Sequence, residues 1–353
     1  MTKEAFIHLK IERPREEIGR QIKAVWDRIA KPLDGLGDFE TIIAKIGAIQ
    51  GTTQIEVSKK AVIVMCADNG IVEENISQAG QEVTALVAKS MAQGTASVCK
   101  MARRAGADVF PVDIGINQRE EILGLYQKKL GYGTKNFLKE PAMSEKDALR
   151  AIEVGISMVE YCRSQGYGLI ATGEMGIGNT TTSSAMTAAL MGYEANEVVG
   201  KGAGLSEAGL YHKREVIGKA LSKYALHRRE TLKILSTFGG FDIAGLTGVY
   251  IGGAIHHIPI VMDGMISAVA ALTAKRLVPG TLDYMIPSHK SKEPAMAMIM
   301  KELELHPVID AKLALGEGTG AVMMFSLLDT ALTVYDTRTN FEDIKVERYQ
   351  RFS

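Results

Sequence analysis

Short apolar runs alternate with longer helical patterns along most of the chain. The apolar runs that predict strands are residues 61–66, 109–114, 168–172, 258–262 and 282–286. Apolar spacing and alanine content predict helices at 83–105, 145–164, 179–191, 206–226 and 241–256. Strands that alternate with helices are typical of crossover units with a parallel sheet. The pattern therefore predicts an α/β fold.

Each predicted strand ends in a polar or glycine-rich segment. These segments are residues 67–70, 115–117, 173–174, 263–264 and 287–289. Open parallel sheets bind ligands beyond the carboxyl ends of their strands. We therefore expect the five segments to border one crevice.

Two glycine-rich loops carry the candidate chemistry. Residues 315–321 place Glu317 between glycines, ahead of an apolar helical run at 322–332. A carboxylate in flexible backbone at a helix mouth can approach a ligand closely, although Glu317 could instead stabilise the helix start by up to about 1 kcal/mol. A second loop at 171–182 follows a predicted strand and opens a helix. Two such loops indicate a ligand held between them.

The loop at 171–182 departs from the common nucleotide motifs. It lacks a P-loop lysine, and Gly173, Gly176 and Gly178 are spaced as GxxGxG rather than GxGxxG. Small residues at a helix start let main-chain amides approach an anion, and the asparagine and threonines that follow add donors. A monophosphate fits such a turn, whereas the alternative is a tight turn capped by Asn and Thr. Basic stretches at 199–204, 211–214 and 288–292 could complete the anion site or form solvated surface.

Composition narrows the class of protein. Lys plus Arg (41) balance Asp plus Glu (41), so net charge does not favour a nucleic acid or membrane-surface partner. Cys66, Cys99 and Cys162 form no CxxC pair, which fits reduced thiols in the cytoplasm. The N-terminus lacks a signal peptide pattern, and no apolar run reaches the ~20 residues of a membrane helix. The seven histidines show no HExxH motif, so we expect no metal and no cofactor.

The ends of the chain differ from its middle. Residues 1–40 are helical and charged in pattern, and we expect them to form a smaller domain or dimer arm that the C-terminal segment 336–353 joins, beside an α/β domain at 41–335. The helix predicted at 15–29 has an apolar stripe that requires cover. Its members are Ile18, Ile22, Val25, Trp26 and Ile29. A homodimer would cover the stripe, and the alternative is packing on its own chain.

Eight motifs that follow one another along the chain show a resemblance to a known family. They are residues 31–37 with Glu40, residues 65–70, 173–181, 198–203, 239–243, 262–264, 286–289 and 315–321. The chain resembles the nicotinate-nucleotide:dimethylbenzimidazole phosphoribosyltransferase family, whose members make the lower-ligand nucleotide of cobamides. The resemblance runs over most of the chain, and eight matches in order are highly specific.

The resemblance implies a fold, an assembly and a set of site residues. It implies a Rossmann-like parallel sheet, a small helical domain from both chain ends, and a dimer. It assigns the general base to Glu317 and places Glu174 towards the incoming base. It places the phosphate at Gly176, Ile177, Gly178, Asn179, Thr180, Thr181, Lys213 and Ser291. It places the base pocket at Ala79, Gln81, Val87, Met175 and Leu315.

The implied reaction moves the 5-phosphoribosyl group from nicotinate mononucleotide to 5,6-dimethylbenzimidazole. A related azole or a phenol is also open as acceptor, because residues 79–87 look less polar than a benzimidazole nitrogen contact would require. A cationic pyridinium leaves without acid assistance, so one carboxylate base suffices and no metal is required. The rival readings are a nucleoside phosphorylase or hydrolase and a non-catalytic nucleotide sensor. The carboxylate of Glu317 between glycines argues against a sensor.

Overall fold

The structure, a computed structural model, describes residue 6, residues 8–202 and residues 204–351. Its centre is a six-stranded parallel sheet with strand order β3-β2-β1-β4-β5-β6. The strands are β1 (Lys60–Ala67), β2 (Ala107–Gly115), β3 (Tyr126–Gln127), β4 (Leu169–Met175), β5 (Ile260–Met262) and β6 (Met285–Pro287). A separate parallel pair joins β7 (His289–Ser291) to β8 (Ile309–Leu313). The predicted α/β class is confirmed.

Helices cover both faces of the sheet. They are α1 (Glu16–Trp26), α2 (Asp38–Gln50), α3 (Glu82–Ala92), α4 (Ser97–Arg104), α5 (Glu145–Ser164), α6 (Asn179–Met191), α7 (Ala195–Val198), α8 (Glu207–Tyr224), α9 (Thr231–Phe238), α10 (Phe241–His256), α11 (Met265–Leu277), α12 (Pro294–Leu303) and α13 (Thr319–Thr337). Short 3₁₀ helices lie at Gly70–Glu74 and Thr281–Tyr284.

Strand β1 divides the core into two layers. Every residue of this strand is buried, as expected for a parallel strand covered on both faces. Its residues 61, 63 and 65 belong to the core that contains α5, α6 and α10. The alternate residues 62, 64 and 66 belong to the core that contains α1, α2, α4 and α13. Two-residue periodicity therefore joins both layers through one strand.

Most predicted elements occur where the pattern placed them. The helices at 145–164, 179–191 and 241–256 match their predicted bounds, and the helix at 206–226 is one residue shorter at its start and two at its end. The single helix predicted at 83–105 is wrong. Gly94 adopts a φ of 70°, which ends α3 and lets α4 start in a new direction. The strand predicted at 282–286 is also shorter, because a 3₁₀ helix occupies its first residues.

The two ends of the described chain lie side by side. Ile29 forms an antiparallel bridge with Asn340, and the Trp26 and Tyr335 rings are 5.1 Å apart. Arg351 forms ion pairs with both Asp27 and Asp34. Residues 1–5 and 7 of the predicted segment 1–40, and 352 and 353 of segment 336–353, lie outside the described residues. A separable small domain stays a prediction.

No helix in the described part of the chain has the length and apolar character to cross a membrane.

Candidate active site

A cavity of about 230 Å³ lies beyond the carboxyl ends of the sheet strands. Its walls come from the end of β4, the start of α6, the turn after β5, strand β7 and residues 313–317. The strand order reverses between β1 and β4, which is where ligands bind in open α/β sheets. Of the five polar segments expected to share one crevice, those after β4, β5 and β6 reach this cavity. Asp68 and Asn117, after β1 and β2, border a separate depression.

The two glycine-rich loops touch each other. A Cβ on Gly173 would lie 2.5 Å from the Glu317 carbonyl oxygen, so only glycine allows this approach. A Cβ on Gly316 would lie 2.9 Å from Oε1 of Glu174. Both carboxylates line the same cavity. This cavity is therefore the place between the two loops where a ligand is predicted to lie.

Glu317 adopts a strained backbone conformation at the mouth of α13. Its φ is 62°, and Gly316 and Gly318 on either side have φ values of 82° and 93°. A non-glycine residue in this region costs on the order of 1–3 kcal/mol and persists where the surroundings enforce it. Its Oε2 accepts the backbone N–H of Val98 at 3.0 Å. The Glu317 carboxylate is thus held by α4, although Glu317 itself precedes α13.

The Glu317 carboxyl group has an elevated pKa. Burial is the largest cause, the Val98 N–H opposes it, and the nearby Asp263 carboxylate adds to it. Burial and a neighbouring negative charge disfavour the ionised carboxylate and raise its pKa, whereas a hydrogen-bond donor favours the ionised form and lowers the pKa. A base with a raised pKa accepts a proton more readily near neutral pH.

Glu174 is buried and lines the same cavity as Glu317. The Asn179 side-chain amide donates to Glu174 Oε2. Burial raises the pKa of Glu174 to about 8, Asn179 opposes this shift, and three neighbouring carboxylates, led by Asp242, add to it. Glu174 is therefore protonated at neutral pH. A protonated carboxyl group can act as a neutral hydrogen-bonding group beside a second carboxyl group that acts as the base.

Asp263 anchors the start of α13. Its carboxylate accepts the backbone N–H groups of Gly318 at 3.1 Å, Gly320 at 2.8 Å and Ala321 at 3.1 Å. The acidic group satisfies amides that a helix start leaves unpaired and lies at the positive end of the helix dipole. The His289 ring lies 3.8 Å from it on the other side. Asp263 thereby fixes the loop that carries Glu317.

Asp263 is the functional residue that sequence reasoning missed. The motif at 262–264 contributed to the resemblance, but its aspartate was given no role. One signal could have identified it: the N-cap of α13 is Gly318, which has no side chain to cap the helix. A helix start without its own cap requires an acceptor from elsewhere.

The predicted phosphate residues lie in two groups. Gly176, Ile177, Asn179, Thr180 and Ser291 line the cavity. Gly178, Thr181 and Lys213 lie behind this lining: Gly178 forms the N-cap of α6 with a φ of 93°, and Thr181 is buried in the helix.

Lys213 reaches the cavity through Thr180. Its Nζ donates to Thr180 Oγ1 at 2.9 Å and to the Gly200 carbonyl at 3.4 Å. Burial lowers the pKa of Lys213 to about 8, and the Glu293 carboxylate opposes this shift. The hydroxyl of Ser291 is buried with no partner among the described residues. The hydroxyls of Thr180 and Ser291 in the cavity lining, with the amine of Lys213 behind Thr180, are suitable donors for phosphate oxygens.

The predicted base-pocket residues do not all come together. Met175 and Leu315 line the cavity next to the two carboxylates, whereas Ala79, Gln81 and Val87 are not among its lining residues. Gln81 donates to the Asn69 carbonyl and accepts from the Asn117 side chain. These hydrogen bonds direct its amide towards the neighbouring depression, which Gln81 helps to line.

Among the described residues, no group of three or more His, Cys, Asp or Glu side chains is arranged to hold a metal ion.

The chain is similar to proteins of known family. A family model described as phosphoribosyltransferase matches residues 11–346. A nicotinate-nucleotide–dimethylbenzimidazole phosphoribosyltransferase of Acetivibrio thermocellus is 44% identical over 324 residues, which cover 92% of this chain and 92% of the relative. A protein of the same name from Clostridium acetobutylicum is 43% identical with the same coverage. The crystal structure of CobT from Thermus thermophilus has a TM-score of 0.89 and 35% identity, covering 94% of this chain and 100% of that chain.

Proposed function

Since the chain belongs to the phosphoribosyltransferase family, we propose that it moves the 5-phosphoribosyl group from nicotinate mononucleotide to a lower-ligand base. The acceptor is 5,6-dimethylbenzimidazole or a related azole or phenol. The products are an α-riboside 5′-phosphate for the cobamide nucleotide loop, and nicotinate. One observation carries the proposal: the carboxyl groups of Glu174 and Glu317 line the same cavity as Thr180 and Ser291 of the predicted phosphate site.

The geometry supports a reaction with one base. The acceptor nitrogen attacks C1′ of the ribose, and the bond from C1′ to the pyridinium nitrogen breaks, so nicotinate leaves with the bonding electron pair. The azole then carries an N–H proton with increased acidity, which passes to the Glu317 carboxylate. Attack opposite the leaving group converts the β-nucleotide to an α-riboside. The neutral carboxyl group of Glu174 positions the acceptor ring, and Met175 and Leu315 contact its apolar face.

The proposed function can be tested by asking whether nicotinate release requires an acceptor base. Incubation with nicotinate mononucleotide and 5,6-dimethylbenzimidazole should release nicotinate and form an equal amount of α-riboside phosphate, measured by product mass. Without an azole or phenol, nicotinate release should be negligible. Release without an acceptor would instead support a hydrolase, and release that requires inorganic phosphate would support a phosphorylase. Binding of the nucleotide with no turnover under any condition would support a sensor.

Lys213→Ala should weaken nicotinate mononucleotide much more than nicotinate riboside. The buried ammonium group donates to Thr180 of the predicted phosphate site, and the riboside lacks the phosphate that this site would bind. Dissociation constants for both ligands measure the effect, and Lys213→Arg tests whether charge alone restores binding. Equal losses for both ligands would show that Lys213 has a structural role.

We also expect a homodimer, but the N-terminal helix does not require one. Ile22, Trp26 and Ile29 of the predicted stripe are buried within their own chain, so packing on the same chain explains the pattern. Helix α13 supports association better, because Met323 and Leu327 are 42% and 40% exposed on one of its faces. Light scattering at micromolar concentration should give twice the monomer mass of 38.2 kDa. The monomer mass would contradict the expectation.

A further inference from the structure

We infer that the N-terminus of α4 positions the Glu317 carboxylate and keeps it ionised, which makes the Val98 backbone N–H a positioning group for the base. This inference rests on the proposed role of Glu317. It assigns a function to a helix that contributes no side chain to the lining of the cavity.

Helix α4 begins without a cap of its own. Its N-cap is Ala96, which has no side-chain acceptor for the first-turn amides. Alanine is among the poorest residues at this position, where Ser, Thr, Asp and Asn are preferred. The Val98 N–H instead donates to Glu317 Oε2 across a sequence separation of 219 residues. The helix and the carboxylate therefore satisfy each other.

The break between α3 and α4 produces this arrangement. The chain ends α3 at Ala92, turns through the left-handed Gly94 and restarts at Ser97. A continuous helix through this stretch would pair the Val98 amide within the helix and leave no donor for Glu317. The Val98 side chain is fully buried, which fixes the helix start against the core.

The remaining surroundings of Glu317 disfavour its charge. Burial and the Asp263 carboxylate after β5 raise its pKa. Glu174 at the end of β4 is protonated at neutral pH, and the buried Cys99 thiol on α4 has a raised pKa, so neither adds a charge. His289 on β7 faces Asp263 rather than Glu317. The first turn of α4 is then the group that offsets burial and like charge, because a helix N-terminus favours an anion. A carboxylate hydrogen bond from a backbone amide has the same effect.

Val98→Pro removes the backbone N–H that donates to Glu317. Val98→Ala is the matched control, because it also removes the valine side chain but keeps the N–H. The readout is the pH dependence of kcat/KM, whose acid limb is assigned to Glu317 by its loss in Glu317→Gln. We expect Val98→Pro to move the midpoint of this limb upward by about one pH unit relative to Val98→Ala. Identical midpoints in the two folded variants would overturn the inference.

Ser97 provides the deciding test if the proline variant does not fold. This residue is exposed in the first turn of α4. Ser97→Asp should move the midpoint upward and Ser97→Lys downward, each by a few tenths of a pH unit, because each charge acts on the same carboxylate. Equal midpoints would overturn the inference. Near-full turnover in Glu317→Gln would instead refute the proposed role of Glu317 as the base. The failure of that role and the failure of the present inference are therefore distinguishable.

Discussion

Glu317→Gln should lower turnover by about 10² to 10⁴, the range typical of a positioned general base. Glutamine keeps the size of the side chain and an oxygen that can accept the Val98 N–H, but it cannot take a proton. Binding of both substrates should therefore change little. Single-turnover rates and equilibrium binding of nicotinate mononucleotide measure the two effects separately.

Two further variants separate catalysis from structure at this position. Glu317→Ala also removes the acceptor for α4 and should lower the free energy of unfolding by about 0.5–2 kcal/mol, the usual cost of a lost helix cap. If Glu317→Gln keeps near-full turnover while Glu174→Gln abolishes it, the base lies in the first glycine-rich loop.

Glu174→Gln should stabilise the protein at alkaline pH. The folded pKa of about 8 exceeds the ordinary value of 4.5 because the carboxyl group is buried. Between these two values the folded state binds a proton that the unfolded state has lost, so wild-type stability falls as pH rises through this window. Glutamine does not titrate. We expect the difference in unfolding free energy between variant and wild type to increase by on the order of 3–5 kcal/mol from pH 4.5 to pH 9.

Urea unfolding at a series of pH values measures this change. Glu121→Gln, which replaces an exposed carboxylate, is the control and should follow the wild-type curve. A constant difference between Glu174→Gln and wild type across the range would show that Glu174 is ionised in the folded protein at neutral pH.

Local patterns predicted five of the six strands of the central sheet and the helices α5, α6, α8 and α10, but not α2, α9, α11 or α12. Buried parallel strands such as β1 appear as continuous apolar runs, and α10 is a mostly apolar helix of 16 residues, so periodicity and length suffice to identify them. Local patterns failed to predict the structure where a single residue determines the backbone conformation. Gly94 ends α3 within a stretch that otherwise reads as one helix. The strands β3, β7 and β8 contain two, three and five residues and leave almost no periodic signal.

The candidate site could be predicted only in part. Glycine spacing identified both loops and both carboxylates and predicted a ligand between the loops, but no sequence rule brings Glu174 and Glu317 to the same cavity. The Asp263 contacts with α13 and the Val98 contact with Glu317 depend on tertiary structure. The amide of Gln81 turns away from the cavity because Asn69 and Asn117 offer partners on the other side.

The separation between Val98 and Glu317 has a consequence for synthesis on the ribosome. At ~5–20 residues per second, about 10 to 40 s pass between the emergence of one residue and the other. During that interval β1, β2 and β4 can pair, but the nascent α4 lacks the acceptor for its first turn. The reaction centre consequently acquires its native contacts late in synthesis, and a chain released before residue 317 contains most of the sheet without a base.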